Sequence, residues 1–335
     1  MAKNVASSNN QAAKPTPPPT ALPNINAAGD FYYSTGLSYA GYWLNNNQFN
    51  FVNNPNQTIE STFKKVYING LDVYLTGRTY NGTANVATIY KNGVLFSQYP
   101  STSSNPAVIV SDMIVSGSNV FAVGNDGNRA VIWQNGIQSI LKSTISRATG
   151  IVSYNNQNYV IGDDLLFFDL ANVTATTKSY LWINGQETVL SNFGLRYTTE
   201  IKIYNNILYI CGGTIVNGIK VPMYLTKNLI TNGNFVATTI SSTVNSSAKA
   251  IEIVNSDVYL CGGANGKPVF WKNGIMTTLS TLNGESNDIS SFGTDIYIGG
   301  TAQNGNSKAA MWRNGVYTSY NGTLPGSIIN SIALQ

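Results

Sequence analysis

Histidine is missing from this chain altogether. Without imidazole there is no Ser-His-Asp or Cys-His nucleophile pair and no His-ligated metal centre. Charge is also scarce, at 10% of 335 residues, against about 25% in an ordinary soluble domain. The net charge of +4 comes from scattered Lys and Arg rather than a basic stripe, which argues against nucleic acid as a partner. No apolar run is long enough for a signal peptide or a membrane span. Only two cysteines occur, Cys211 and Cys261. They hold one position in two successive repeats, where adjacent packed sheets stand about 10 Å apart. A disulfide needs Cα atoms within about 7 Å, so the expectation is a pair of buried free thiols.

What is present is a repeat. Trp-x-Asn-Gly recurs as Trp133–Gly136, Trp182–Gly185, Trp271–Gly274 and Trp312–Gly315, with Tyr90-Lys91-Asn92-Gly93 as a fifth copy. Degenerate copies begin at Trp43 and Leu225, giving seven with a mean period of about 45 residues. Upstream of each tryptophan runs a β-branched or aromatic stretch ending at glycine, as in Val73-Tyr74-Leu75-Thr76-Gly77 and Val258-Tyr259-Leu260-Cys261-Gly262. Asn-Gly between apolar strands is the strongest short hairpin signal, because both turn positions need positive φ. Each unit therefore has four strands, the third ending at Trp and the fourth following Asn-Gly. An all-β, seven-bladed β-propeller of four-stranded antiparallel blades is the expected fold.

The first unit lacks a first strand and the last leaves one over. In the N-terminal unit Phe31–Gly36 reads as the second strand, Ala40–Leu44 as the third and Gln48–Val52 as the fourth. Ile328–Ile332 supplies the missing first strand, so the C-terminal segment closes the ring beside the N-terminal blade. Residues 1–29 contain Ala13-Lys14-Pro15-Thr16-Pro17-Pro18-Pro19-Thr20 and read as a disordered Pro-rich tether. Residues 30–335 form the propeller, with blades near 30–52 plus 326–335, 60–99, 107–141, 148–190, 198–240, 247–279 and 286–320.

The units Asp295-Ile296-Tyr297-Ile298-Gly299-Gly300 and Ala309-Ala310-Met311-Trp312-Arg313-Asn314-Gly315 resemble a repeat of exported, Bacteroidetes-like bacterial proteins. Its pattern is Val-Tyr-Val-x-Gly, a loop, then Ala-x-x-Trp-Lys-Asn-Gly, and the likeness covers residues 30–335. Gly-Gly followed by Trp is also distantly kelch-like. The resemblance implies a propeller and an extracytoplasmic location, at the cell surface, outer membrane or periplasm, with room for a lipid anchor upstream of the tether. It implies little about activity.

Three readings of function stand. The leading one is a non-enzymatic binding or scaffold protein contacting a protein or glycan of the cell envelope through its irregular loop face. Leu165, Leu166, Phe167 and Phe168 are the contact candidates there, because four large apolar residues in a surface loop mark an interaction patch; the equal alternative is that this insert folds back as extra strand and covers the top of the propeller. Arg78, Tyr80, Arg129, Arg196 and Tyr197 belong to the same face, and Arg and Tyr are favoured at contact hot spots. The second reading is a carbohydrate-active hydrolase or lyase. Aligned one per blade, Lys65, Asp112, Gly150, Glu200, Ala250, Asp288 and Ser327 should surround the channel mouth. Asp112, Glu200 and Asp288 are then the candidate acid and base, or oxygen ligands for calcium; no cofactor is otherwise indicated. The third reading is a multivalent lectin using the repeated aromatics. Against it, Trp43, Tyr90, Trp133, Trp182, Trp271 and Trp312 sit where core residues between blades belong, and they are assigned a structural role.

Overall fold

A computed structural model describes residues 22–32, 38–45, 49–52, 60–105, 107–165, 173–240, 242–303, 308–318 and 326–335. Seven four-stranded antiparallel sheets form a β-propeller. Blade 2 shows the plan, with strands Thr62–Asn69, Asp72–Tyr80, Asn85–Lys91 and Val94–Tyr99 from the centre outward. The C-terminal strand Ser327–Leu334 is the innermost strand of blade 1 and pairs antiparallel with Ile25–Tyr32. The ring is closed by the chain's own ends.

The Asn-Gly turns do more than reverse the chain. Asn92, Asn135, Asn184, Asn273 and Asn314 all have φ near +50°, and the glycine after each is also positive, as a type I′ turn demands. Each asparagine also accepts, through its side-chain oxygen, the amide at or beside the start of the second strand: Val73, Val120, Asn158, Val258 and Ile296 donate at 2.8–3.1 Å. One residue thus makes the outer hairpin and ties it to its inner neighbour. Asn314→Gly keeps the turn geometry but loses that bond. It is expected to cost about 1 kcal/mol in urea-unfolding free energy. Asn314→Asp should cost at least as much, because Asn314 also donates to the Asp295 carboxylate.

A second regularity sits in the inner strand. All seven first strands carry a β-bulge at one equivalent place, with Lys64, Ser111, Thr149, Thr199, Lys249, Asn287 and Asn330 as the extra residue. The repeated glycine of the second strand answers it. A Cβ at Gly29, Gly77, Gly124, Gly162, Gly212, Gly262 or Gly300 would lie 1.9–2.1 Å from a first-strand carbonyl oxygen. Glycine is there for close approach.

The equivalent glycine in blade 1 is therefore Gly29 and not Gly36. The second strand of that blade begins at Ile25, six residues before the expected Phe31, and residues 33–37 lie outside those described. The misplacement arose because Phe31-Tyr32-Tyr33 mimics the aromatic run, while the true strand, Ile25–Tyr32, is poor in large apolar residues. Ile329 and Ile332 consequently face Gly29 and Ala27 in the ladder.

The core fills the wedge between blades. Trp43, Trp182 and Trp312 are fully buried, and Trp133 and Trp271 are 2% exposed. Tyr90 is half-buried, its ring 5.3 Å from that of Phe63 in an edge contact. This burial takes the tryptophan faces out of reach of a sugar. Cys211 and Cys261 are free and buried, each paired in the ladder with the first-strand residue that faces the channel. Burial pushes the Cys211 thiol up to about 12, so it stays protonated and packs as a small apolar residue.

The sequence reads the connections between second and third strands as long and irregular, and three of them are neither. In blades 3, 5 and 6 these strands are joined by two residues, Gly127-Asn128, Asn217-Gly218 and Asn265-Gly266. Positive φ at Gly127, Asn217, Gly218, Asn265 and Gly266 lets the ladder run to its tip. Only blade 4 has a long insertion there, residues 164–178.

Candidate functional site

The bulge decides what faces the channel. An unbroken strand would send alternate residues to opposite faces, but a bulge sets two residues against one partner and breaks the alternation. Lys64 and Lys65, Thr199 and Glu200, Lys249 and Ala250, and Asn287 and Asp288 consequently all line one cavity, with Ser111, Arg147, Thr149, Thr198 and Asn330. Its volume is about 200 Å³. Arg147 opens the first strand of blade 4 and pairs with Asp163 at the end of the second. The cavity thus lies toward the end of the channel that carries the blade-to-blade connections.

Two tiers result. The outer tier is the bulge residues, with two lysines, three hydroxyls, two amides and no acid. The inner tier is Lys65, Asp112, Gly150, Glu200, Ala250, Asp288 and Ser331. The expected register was right for six members; the seventh is Ser331 rather than Ser327, because Ser331 faces Ala28 as Lys65 faces Thr76. These residues also sit within the first strands, just after the bulge, and not ahead of them.

The inner-tier acids are tied into the backbone of the next blade. Asp112 Oδ2 accepts the Ile151 amide at 3.1 Å, Glu200 Oε2 the Ile251 amide at 2.7 Å and Asp288 Oδ2 the Ile332 amide at 3.0 Å. The other oxygens of Asp112 and Asp288 accept Met113 and Ile289 amides at 2.8 and 2.9 Å. Ser331 donates to Asp288 and accepts the Val66 amide. At the next level outward Asp30 accepts the Phe63 amide and the Thr62 hydroxyl, and Asp163 the Thr198 amide. Carboxylates here act as clips between blades.

Lys65 completes the arrangement from across the channel. Its ammonium lies 2.7 Å from Glu200 Oε1 and 3.3 Å from Asp288 Oδ2. Burial alone would lower its pKa, but Asp288, Glu200 and Asp112 together hold it well above the usual lysine range. Deeper along the strand Lys202 pairs with Glu252 at 2.6 Å. Asp112 is pushed up to about 6 by burial, with Lys65 and the two amides opposing.

Asp112, Glu200 and Asp288 thus share one ring, each held by backbone amides of its own or the next blade. Glu200 and Asp288 line the cavity and Asp112 does not. Among the described residues no three His, Cys, Asp or Glu side chains converge as a metal cage requires, and the Lys65 ammonium stands between the two carboxylates that would ligate calcium. The residues do not fit that ion.

The loop-face candidates divide. Leu165 and Tyr197 are buried, packed with Val173 and Ile215. The glycine at 213 leaves room for the Tyr197 ring, against which Leu165 and Val173 of the blade 4 insertion pack. Neither residue is an exposed contact. Leu166, Phe167 and Phe168 lie outside the described residues. Arg78 is half-buried and 3.4 Å from Glu60; Arg129 pairs with the buried Asp126 at 2.8 Å. The Tyr80 hydroxyl donates to the Gly82 carbonyl, and the Arg196 amide to that of Gly213. These side chains are spread around the rim and do not converge.

Sequence reasoning missed Lys64, Arg147 and Lys249. A signal was present: inner strands carry two consecutive small or polar residues between apolar ones, as in Phe63-Lys64-Lys65-Val66 and Ile329-Asn330-Ser331-Ile332, where strict alternation allows one.

No family model matches the chain, and no curated protein does. A solved structure of a putative 6-phosphogluconolactonase from Bacteroides uniformis is similar over 94% of this chain and 100% of its own, at 10% identity and a TM-score of 0.52. The acylaminoacyl peptidase of Pyrococcus horikoshii matches 77% of this chain and 45% of its own at 12% identity, TM-score 0.42. YjhT matches 75% and 97% at 11% identity, TM-score 0.46. At 10% identity the first of these likenesses speaks to the fold alone; the seven sheets and their lining make the chain a seven-bladed β-propeller with a polar cavity in its channel.

Proposed function

We propose that this protein is an extracytoplasmic binding propeller that takes a small polyhydroxylated molecule of the carbohydrate class into its channel mouth. The observation that carries this is the cavity lining, where Ser111, Thr149, Thr199, Asn287 and Asn330 surround one space. Hydroxyl and amide groups on five different strands suit a ligand with hydroxyls on every side. A volume of about 200 Å³ is below the ~300–1,000 Å³ of drug-sized pockets, which points to an occupant of roughly monosaccharide size. Binding is favoured over catalysis because both cavity carboxylates are engaged by Lys65 and by backbone amides. Placement outside the cytoplasm rests on the charge-poor composition and on the repeat resemblance.

Isothermal titration of the purified protein against a panel of monosaccharides and sugar acids tests the reading. At least one member should bind, and Thr199→Phe, which fills the cavity from its half-buried wall, should abolish the heat without changing the circular dichroism spectrum. Unchanged binding in that variant would move the site elsewhere.

A further inference from the structure

Resting on the channel-mouth reading, we propose that the occupant carries an oxyanion, a carboxylate or a phosphate, held among Lys64, Lys249 and Arg147. The charge of the lining is unequal, with four cations against two carboxylates. Both carboxylates are claimed by Lys65. The three other cations face a tier that contributes hydroxyls and amides only. Their acidic neighbours do not line the cavity: Asp163 lies behind Arg147 at 2.7 Å, and Glu285 meets Lys249 at 3.3 Å with its own side chain about half exposed. Asp30, whose charge acts on Lys64, does not line the cavity either.

Two further observations agree. Burial pushes Lys64 below the usual lysine range; Asp30 opposes the shift, while Arg78, Lys249 and Arg147 add to it. Cations crowded in a partly desolvated cleft repel one another, and an entering anion relieves that repulsion. The Ser111 hydroxyl also lines the cavity, is 5% exposed and has no hydrogen-bond partner among the described residues. A buried hydroxyl without a partner costs free energy, and a ligand oxygen would satisfy it. Arg147 suits the role because Asp163 fixes its guanidinium through Nε and Nη2, leaving a preorganised planar cation at the cavity wall.

Titration with glucose, glucuronate and glucose 6-phosphate separates the terms. At least one of the two anionic sugars should bind about tenfold or more tightly than glucose, the worth of one charge-assisted hydrogen bond. Whichever prevails identifies carboxylate or phosphate. Lys64→Gln and Lys249→Gln should each reduce the ratio of anionic to neutral affinity by about tenfold. A purely structural role would weaken all three sugars alike and leave the ratio intact. Equal affinity for the three overturns the oxyanion inference and leaves the cavity reading standing. Absence of binding by any of them, with the fold verified, ends both.

Discussion

Removal of Ser327–Leu334 is expected to abolish cooperative unfolding of the whole propeller. That strand does three things at once. It buries Ile329 and Ile332 against Ala27, Trp43, Tyr297 and Met311. It pairs along the length of Ile25–Tyr32. Through Asn330 and Ser331 it reaches Asp30, Asp288 and the blade 2 backbone at Phe63 and Val66. Loss of the two isoleucines alone is worth several kcal/mol, since each large-to-small change in a core costs about 2–5 kcal/mol. A domain has about 5–15 kcal/mol to lose. The truncated ring would also expose the inner edge of blade 1, a template for aggregation. Urea denaturation followed by tryptophan fluorescence should show a broad, non-cooperative transition, and Ile329→Ala an intermediate loss of about 2–5 kcal/mol. A synthetic Ser327–Gln335 peptide added in trans should restore part of the transition. A truncated protein with the full-length profile would mean that closure does not hold the ring.

Asp288→Ala is expected to be the most damaging single change in the channel. The carboxylate is 2% exposed and serves Lys65, Ser331 and the amides of Ile289 and Ile332. Breaking a buried pair from one side costs up to about 3–5 kcal/mol; here Lys65 keeps Glu200 at 2.7 Å, but Ser331 and the Ile289 and Ile332 amides lose their acceptor. Lys65→Met in the same protein removes that cation, so the double variant should be less destabilised than the two losses added together. The cycle is read from unfolding free energies at constant pH. If Asp288→Ala kept full stability, the residue would not be a clip between blades, and its placement in the cavity would call for a chemical role instead.

Local chemistry made much of this legible in advance. Asn-Gly demands a turn that few other dipeptides accept, so the hairpins could be read wherever it stood. The tryptophans recur at one register because each fills the same wedge between blades. The first landmark to mislead was Phe31-Tyr32-Tyr33, where an aromatic run outweighed a small-residue strand whose glycine, Gly29, is required by a close carbonyl. The bulge was the second difficulty. It adds one residue per inner strand, which concealed Lys64 and Lys249; the four-position slip from Ser331 to Ser327 came from taking Ile328-Ile329, ahead of the bulge, for the apolar run that resumes at Ile332. On the loop face, four apolar residues read as a patch, yet Leu165 packs beneath Val173 beside Tyr197.

Covalent order alone determined the hairpin turns, the sevenfold count and the joining of the C-terminal strand to the N-terminal blade, because these depend on φ preference and short-range periodicity. Only the tertiary structure decided which polar residues converge. Members of the cavity are separated by up to 266 positions along the chain, from Lys64 to Asn330, and no local preference couples them. Curvature of the closed ring brings them together, and the bulge turns them inward.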